Sequence, residues 1–103
     1  METTRQKITK PDGYNLTIET GKDNYGEHES VSGYVNTPYG YVNAFCMYWY
    51  DSEGKPRQCG HLYYTYQGYE YIHRFEKYYS RRYLVTLANR FAKQITQQNE
   101  KKI

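Results

Sequence analysis

The chain has 103 residues, which suits one domain and leaves no room for two. Leu, Ile, Val and Phe number only 16, a level that alone would suggest disorder, but 15 Tyr and one Trp supply ring volume for a thin core. The net charge of +3 divides into −4 over residues 1–54 and +7 over residues 55–103, so the surface is polarised and the second half better suits an anionic partner.

Residues 1–12 are polar and end at Pro11-Asp12-Gly13, a turn signal, so they read as a loose arm. Residues 14–20 alternate apolar and polar with period two, which predicts a strand. A polar loop holding Gly21, Gly26 and three acids fills residues 21–30, and a second strand covers 31–37. Thr37-Pro38-Tyr39-Gly40 has Pro and Gly where a tight turn needs them. Residues 41–50 carry the strongest strand signal. Residues 51–54, Asp-Ser-Glu-Gly, read as a four-residue turn, followed by a strand over 57–66. Gln67-Gly68 suits a two-residue hairpin, and 69–76 reads as a last strand, with a helical turn over 70–79 as the rival. Leu84, Leu87, Ala88, Phe91, Ala92 and Ile95 form one apolar helical stripe, Ser80 is a fitting N-cap, and 99–103 is a fraying tail. The expected fold is α+β: one domain over 1–103, an antiparallel meander of four to five strands over 14–76, and an amphipathic helix over 80–98 packed on one face.

The turns set the pairing. A loop at 51–54 puts Tyr50 opposite Lys55 and Cys46 opposite Cys59. A loop at 67–68 puts Tyr66 opposite Tyr69 and Leu62 opposite His73. One face then collects Phe45, Met47, Trp49, Leu62, Tyr64, Tyr71 and Phe75 as the core, with Gly60 leaving room for the Phe45 and Phe75 rings. The other collects Tyr48, Tyr50, Lys55, Arg57, His61, Tyr63, Thr65 and Arg74, together with Val42, Ala44, Cys46 and Ile72. Cations among aromatic rings suit phosphates and bases, so this surface is a candidate nucleic-acid face, or else a plain solvated one. Arg81, Arg82, Arg90 and Lys93 give the helix a basic side.

The order strand, acidic-Gly turn, basic strand, strand, helix resembles the arm-type DNA-binding domain of phage and transposon integrases. The residues carrying the resemblance are Tyr48-Trp49-Tyr50-Asp51-Ser52-Glu53-Gly54-Lys55-Pro56-Arg57, and Ser80-Arg81-Arg82 opening the helix. It covers the second half of the chain; the first 40 residues have no counterpart. It implies a three-stranded sheet docked in a major groove.

The same register puts Cys46, Cys59 and Glu76 in a row with His61 one step along, a candidate zinc set whose spacing matches no established motif. A Cys46 to Cys59 disulfide is geometrically conceivable, though two free thiols is the leading reading. No signal segment or membrane-length run is visible, so a reducing, cytoplasmic setting is expected. There is no Gly-rich phosphate loop, nucleophile elbow or useful carboxylate pair, so the chain reads as a binding protein without enzymatic activity or cofactor. Its expected partner is nucleic acid or a nucleoprotein complex. The alternative is a host protein, with the chain acting as a phage- or mobile-element inhibitor of a host defence nuclease through tyrosine anchors.

Overall fold

The computed structural model describes residues 3–9, 14–23 and 26–100, with side chains described over 14–22 and 26–99. The chain is an α+β meander. Among the described residues, six antiparallel strands lie side by side in sequence order: β1 (Thr3–Thr9), β2 (Tyr14–Asp23), β3 (Gly26–Thr37), β4 (Gly40–Tyr50), β5 (Pro56–Tyr66) and β6 (Tyr69–Phe75). One helix, α1 (Arg81–Glu100), crosses the face of β3, β4 and β5.

All five expected strands form, and residues 69–75 are strand rather than helical turn. Two expectations for the first thirty residues need correction. Residues 3–9 are not a loose arm: they pair with β2 from Thr3 opposite Gly21 to Thr9 opposite Asn15 and make the sheet six-stranded. Most of the expected polar loop at 21–30 belongs to the β2–β3 hairpin, with Lys22 opposite Glu27. Polar residues with little periodicity can complete a ladder when a neighbouring strand offers its backbone groups. The Pro11-Asp12-Gly13 turn lies outside the described residues, as do 101–103, while Asn99 and Glu100 extend the helix past its expected end.

Local chemistry accounts for the turns. Thr37 Oγ1 accepts the Tyr39 amide at 3.1 Å and donates to the Gly40 carbonyl at 2.7 Å, closing the β3–β4 turn. Gln67 and Gly68 both have positive φ, 50° and 81°, the primed turn that matches strand twist. Ser80 caps the helix: its Oγ accepts the Tyr83 amide and its carbonyl accepts that of Leu84.

The core lies between the helix and one sheet face. Leu84, Ala88, Ala92 and Ile95 meet Leu16, Val31, Val35, Val42, Ala44, Cys46, Leu62 and Tyr64, all buried. Tyr64 sits in this core with its hydroxyl donating to the Tyr39 carbonyl at 2.7 Å, so the buried phenol is satisfied.

The pairing of β5 with β6 is as expected, with Tyr66 opposite Tyr69 and Leu62 opposite His73. The pairing of β4 with β5 differs by one residue. Tyr50 faces Pro56, not Lys55, and Cys46 faces Gly60, not Cys59. The loop has five residues, 51–55, for a reason visible in its hydrogen bonds. Asp51 Oδ1 accepts amides from both Glu53 and Lys55 at 2.9 Å, and the Asp51 amide donates to the Lys55 carbonyl at 2.9 Å. Lys55 is thereby folded into the loop. Pro56, with no N–H for the ladder, takes the first strand position. One residue of shift exchanges faces. Val42, Ala44 and Cys46 turn to the core, while Phe45, Met47 and Trp49, expected inside, turn to the face away from the helix. The Phe45 ring is therefore not beside Gly60, although that of Phe75 is.

Candidate functional site

On the face away from the helix, the register aligns side chains in rows across the strands. Thr17, Ser32, Phe45, His61 and Arg74 form one row. The next holds Asn15, Tyr34, Asn43, Tyr63 and Ile72. On the other side lie Glu19, Ser30, Met47 and Cys59, and beyond them Trp49 opposite Arg57. No described element packs over these rows. Phe45 stacks on His61 with centroids 5.4 Å apart, and Tyr34 meets Tyr41 edge-on at 5.3 Å. Tyr41 is 63% exposed and Ile72 48%, values that mark an uncovered apolar surface rather than a second core. Phe45, Met47 and Trp49 are half-buried by their neighbours in the sheet.

Some of the charges at this face are spoken for. Arg57 Nε binds Asp51 Oδ2 at 3.0 Å, and Lys55 pairs with Glu53 at 3.5 Å in the loop. The Lys55 amide, with Arg57 and the Glu53 amide, holds the Asp51 carboxyl below its ordinary range although burial opposes this. Hydrogen bonding to Glu70 raises the Tyr63 phenol above its usual value, so both groups are engaged within the sheet.

Of the residues singled out from the sequence, Arg57, His61, Tyr63 and Arg74 do share this face, and Lys55 sits in the loop at its end. Tyr48 and Tyr50 do not. They lie on the helix side, where Tyr48 donates to the Tyr50 hydroxyl at 2.5 Å and its ring meets Tyr78. Trp49, Phe45, Met47, Tyr34 and Tyr41 take their place, and Pro56 was the sequence signal that could have revealed the exchange. Arg82, Arg90 and Lys93 are exposed on α1, while half-buried Arg81 sits near Tyr78.

The candidate zinc set is split. Cys46 is buried under the helix with its thiol donating to the Tyr79 carbonyl at 3.3 Å, while Cys59 and His61 lie on the opposite face. Burial raises the Cys46 thiol above its ordinary value. Both cysteines are free, and their positions on opposite faces rule out the disulfide. No metal-binding group of His, Cys, Asp and Glu occurs among the described residues.

A second polar cluster lies where the sheet meets the helix start. Tyr78 donates through its hydroxyl to Glu29 Oε1, and its backbone amide donates to Gln58 Oε1 at 2.8 Å. Tyr78 and Glu29, together with Tyr48, Thr20, Lys22 and Glu27, line a cleft of about 520 Å³. Burial, and then the Glu29 carboxylate, push the Tyr78 phenol far above its ordinary value. An unfolded tyrosine ionises near pH 10. Above that pH the unfolded chain loses a proton that folded Tyr78 keeps, so this contribution to stability is complete below pH 10 and is lost as pH rises further. Tyr78→Phe should therefore flatten the fall in urea midpoint between pH 10 and 11. It should also lower stability near neutrality by about 1.5–3 kcal/mol, through loss of a hydrogen bond to a charged group. Denaturation at both pH values checks this; an unchanged alkaline slope would remove Tyr78 from the titration.

No protein-family model, curated protein or solved structure matches this chain.

Proposed function

We propose that this is a protein-binding module that acts by covering part of a partner with its uncovered sheet face. The observation that carries the reading is the row system centred on Phe45, Met47, Trp49, His61 and Tyr63: aromatic and apolar groups without cover, flanked by Arg57 and Arg74 against Glu19 and Glu70. Trp, Tyr and Arg are the residues that anchor protein interfaces. From strand spacing and rise, up to five strands over four rows present on the order of 500 Å². That is more than half of the roughly 800 Å² that each partner contributes to a standard interface. Asp51 already holds Arg57 beside Trp49, so less side-chain freedom is lost on binding.

The partner class that fits both surfaces of the chain is a protein that itself handles nucleic acid, such as a host defence nuclease, which the module would occlude without chemistry of its own. Co-purification of the tagged protein from its own cells, with and without nuclease treatment, tests this. A stoichiometric protein that survives the nuclease is the expected result. Recovery only of nucleic acid, or of a second copy of this chain in a sedimentation run, would overturn it.

A further inference from the structure

We infer that the outer side of α1 is a separate contact surface, and that it takes the phosphate backbone of a duplex nucleic acid. Residues 81–99 include four cations, Arg81, Arg82, Arg90 and Lys93, and no Asp or Glu. At 3.6 residues per turn, Arg82, Thr86, Asn89, Arg90, Lys93 and Gln97 fall on one stripe opposite the buried Leu84, Ala88 and Ile95. Arg82, Arg90, Lys93 and Gln97 are exposed.

A basic helix side is usually laced with acids, by pairs three or four residues apart. This stripe has none between Arg82 and Gln97; Glu100, the last helical residue, falls at its C-terminal end. None of Arg82, Arg90 and Lys93 forms an ion pair with another described residue, so they keep their charge for an external partner. Arg82 to Lys93 spans about 16 Å along the axis, comparable with the roughly 12 Å width of a major groove and its flanking phosphates. The charge sits on the side of the sheet remote from Trp49, so this surface and the proposed protein-binding face can be occupied together. The inference does not rest on that protein-binding reading.

The test is a fluorescence-anisotropy titration of a generic labelled duplex with the full chain at 50 to 200 mM salt. Neutralising three phosphates gives a log–log salt slope near −2.7, or about 40-fold weaker binding across that range. The triple variant R82A/R90A/K93A is expected to keep its helix content and lose nearly all of that slope, while Trp49→Ala binds the duplex as the parent does. No binding by the parent at 50 mM salt, or a triple variant that keeps the full slope, would overturn the inference. Binding to phosphatidylserine vesicles but not to duplex would reassign the stripe to an anionic membrane surface.

Discussion

Trp49→Ala is expected to weaken partner binding by about 30-fold or more, the loss of a central aromatic anchor worth at least about 2 kcal/mol. The ring stands opposite Arg57, which Asp51 restrains, and near Met47 on the uncovered face. Its neighbours in sequence make the comparison sharp. Tyr48 and Tyr50 point to the helix side and hydrogen-bond to each other. Tyr48→Phe should therefore change affinity by less than about threefold, within the range of residues outside a hot spot. Trp49→Ala should remain folded, losing about 1–2 kcal/mol, because the ring is half-buried and makes no part of the helix-side core. Calorimetric titration against the purified partner would read both variants, with a urea unfolding curve for each. A larger loss from Tyr48→Phe than from Trp49→Ala would mean that the wrong face has been assigned.

A large stability effect is expected at Gly60. This residue faces Cys46 on β4 and Phe75 on β6, on the side that packs under the helix. A Cβ there would lie 2.3 Å from Phe75 Cε2 and 2.5 Å from the Phe45 carbonyl oxygen. A ring can tilt away, but the carbonyl is fixed in the β4–β5 ladder. Gly60→Ala should thus cost about 3 kcal/mol, at the upper end of ordinary overpacking. In a domain of this size that lowers Tm by roughly 12–20 °C. Gly54→Ala is the control. It sits at φ +78° with no atom within 4 Å of the added carbon, so it should lose only the left-handed penalty of about 1–2 kcal/mol. Adding Phe75→Ala to Gly60→Ala should relieve only part of the strain, because the carbonyl contact persists. Equal melting temperatures for the two single glycine variants would sink the argument.

Local chemistry was legible in the sequence wherever it was decided locally. Period two marked the strand at 14–20, turn signals bounded strands that follow it, Gln67-Gly68 marked its hairpin, and the stripe from Leu84 to Ile95 with Ser80 before it marked the helix and its buried side. These features depend on neighbours within a few residues. Half of the site followed, because Arg57, His61, Tyr63 and Arg74 belong to two strands joined by a correctly read turn.

The tertiary structure decided which side of β4 goes inside. Residues 41–50 are apolar at both parities, so alternation could not choose between Val42, Ala44, Cys46 and Phe45, Met47, Trp49. The smaller set shares one core with Ala88 and Ala92 of the helix, and the bulkier set is left on the open face. The Asp51 carboxylate enforces that choice by gathering the Glu53 and Lys55 amides and lengthening the loop by one residue. β1 was likewise settled only by assembly, since its polar residues carry no strong pattern and its order comes from pairing with β2. Sequence thus determined the elements and the chemistry they carry, whereas packing and one side-chain cap determined which of those groups face the solvent together.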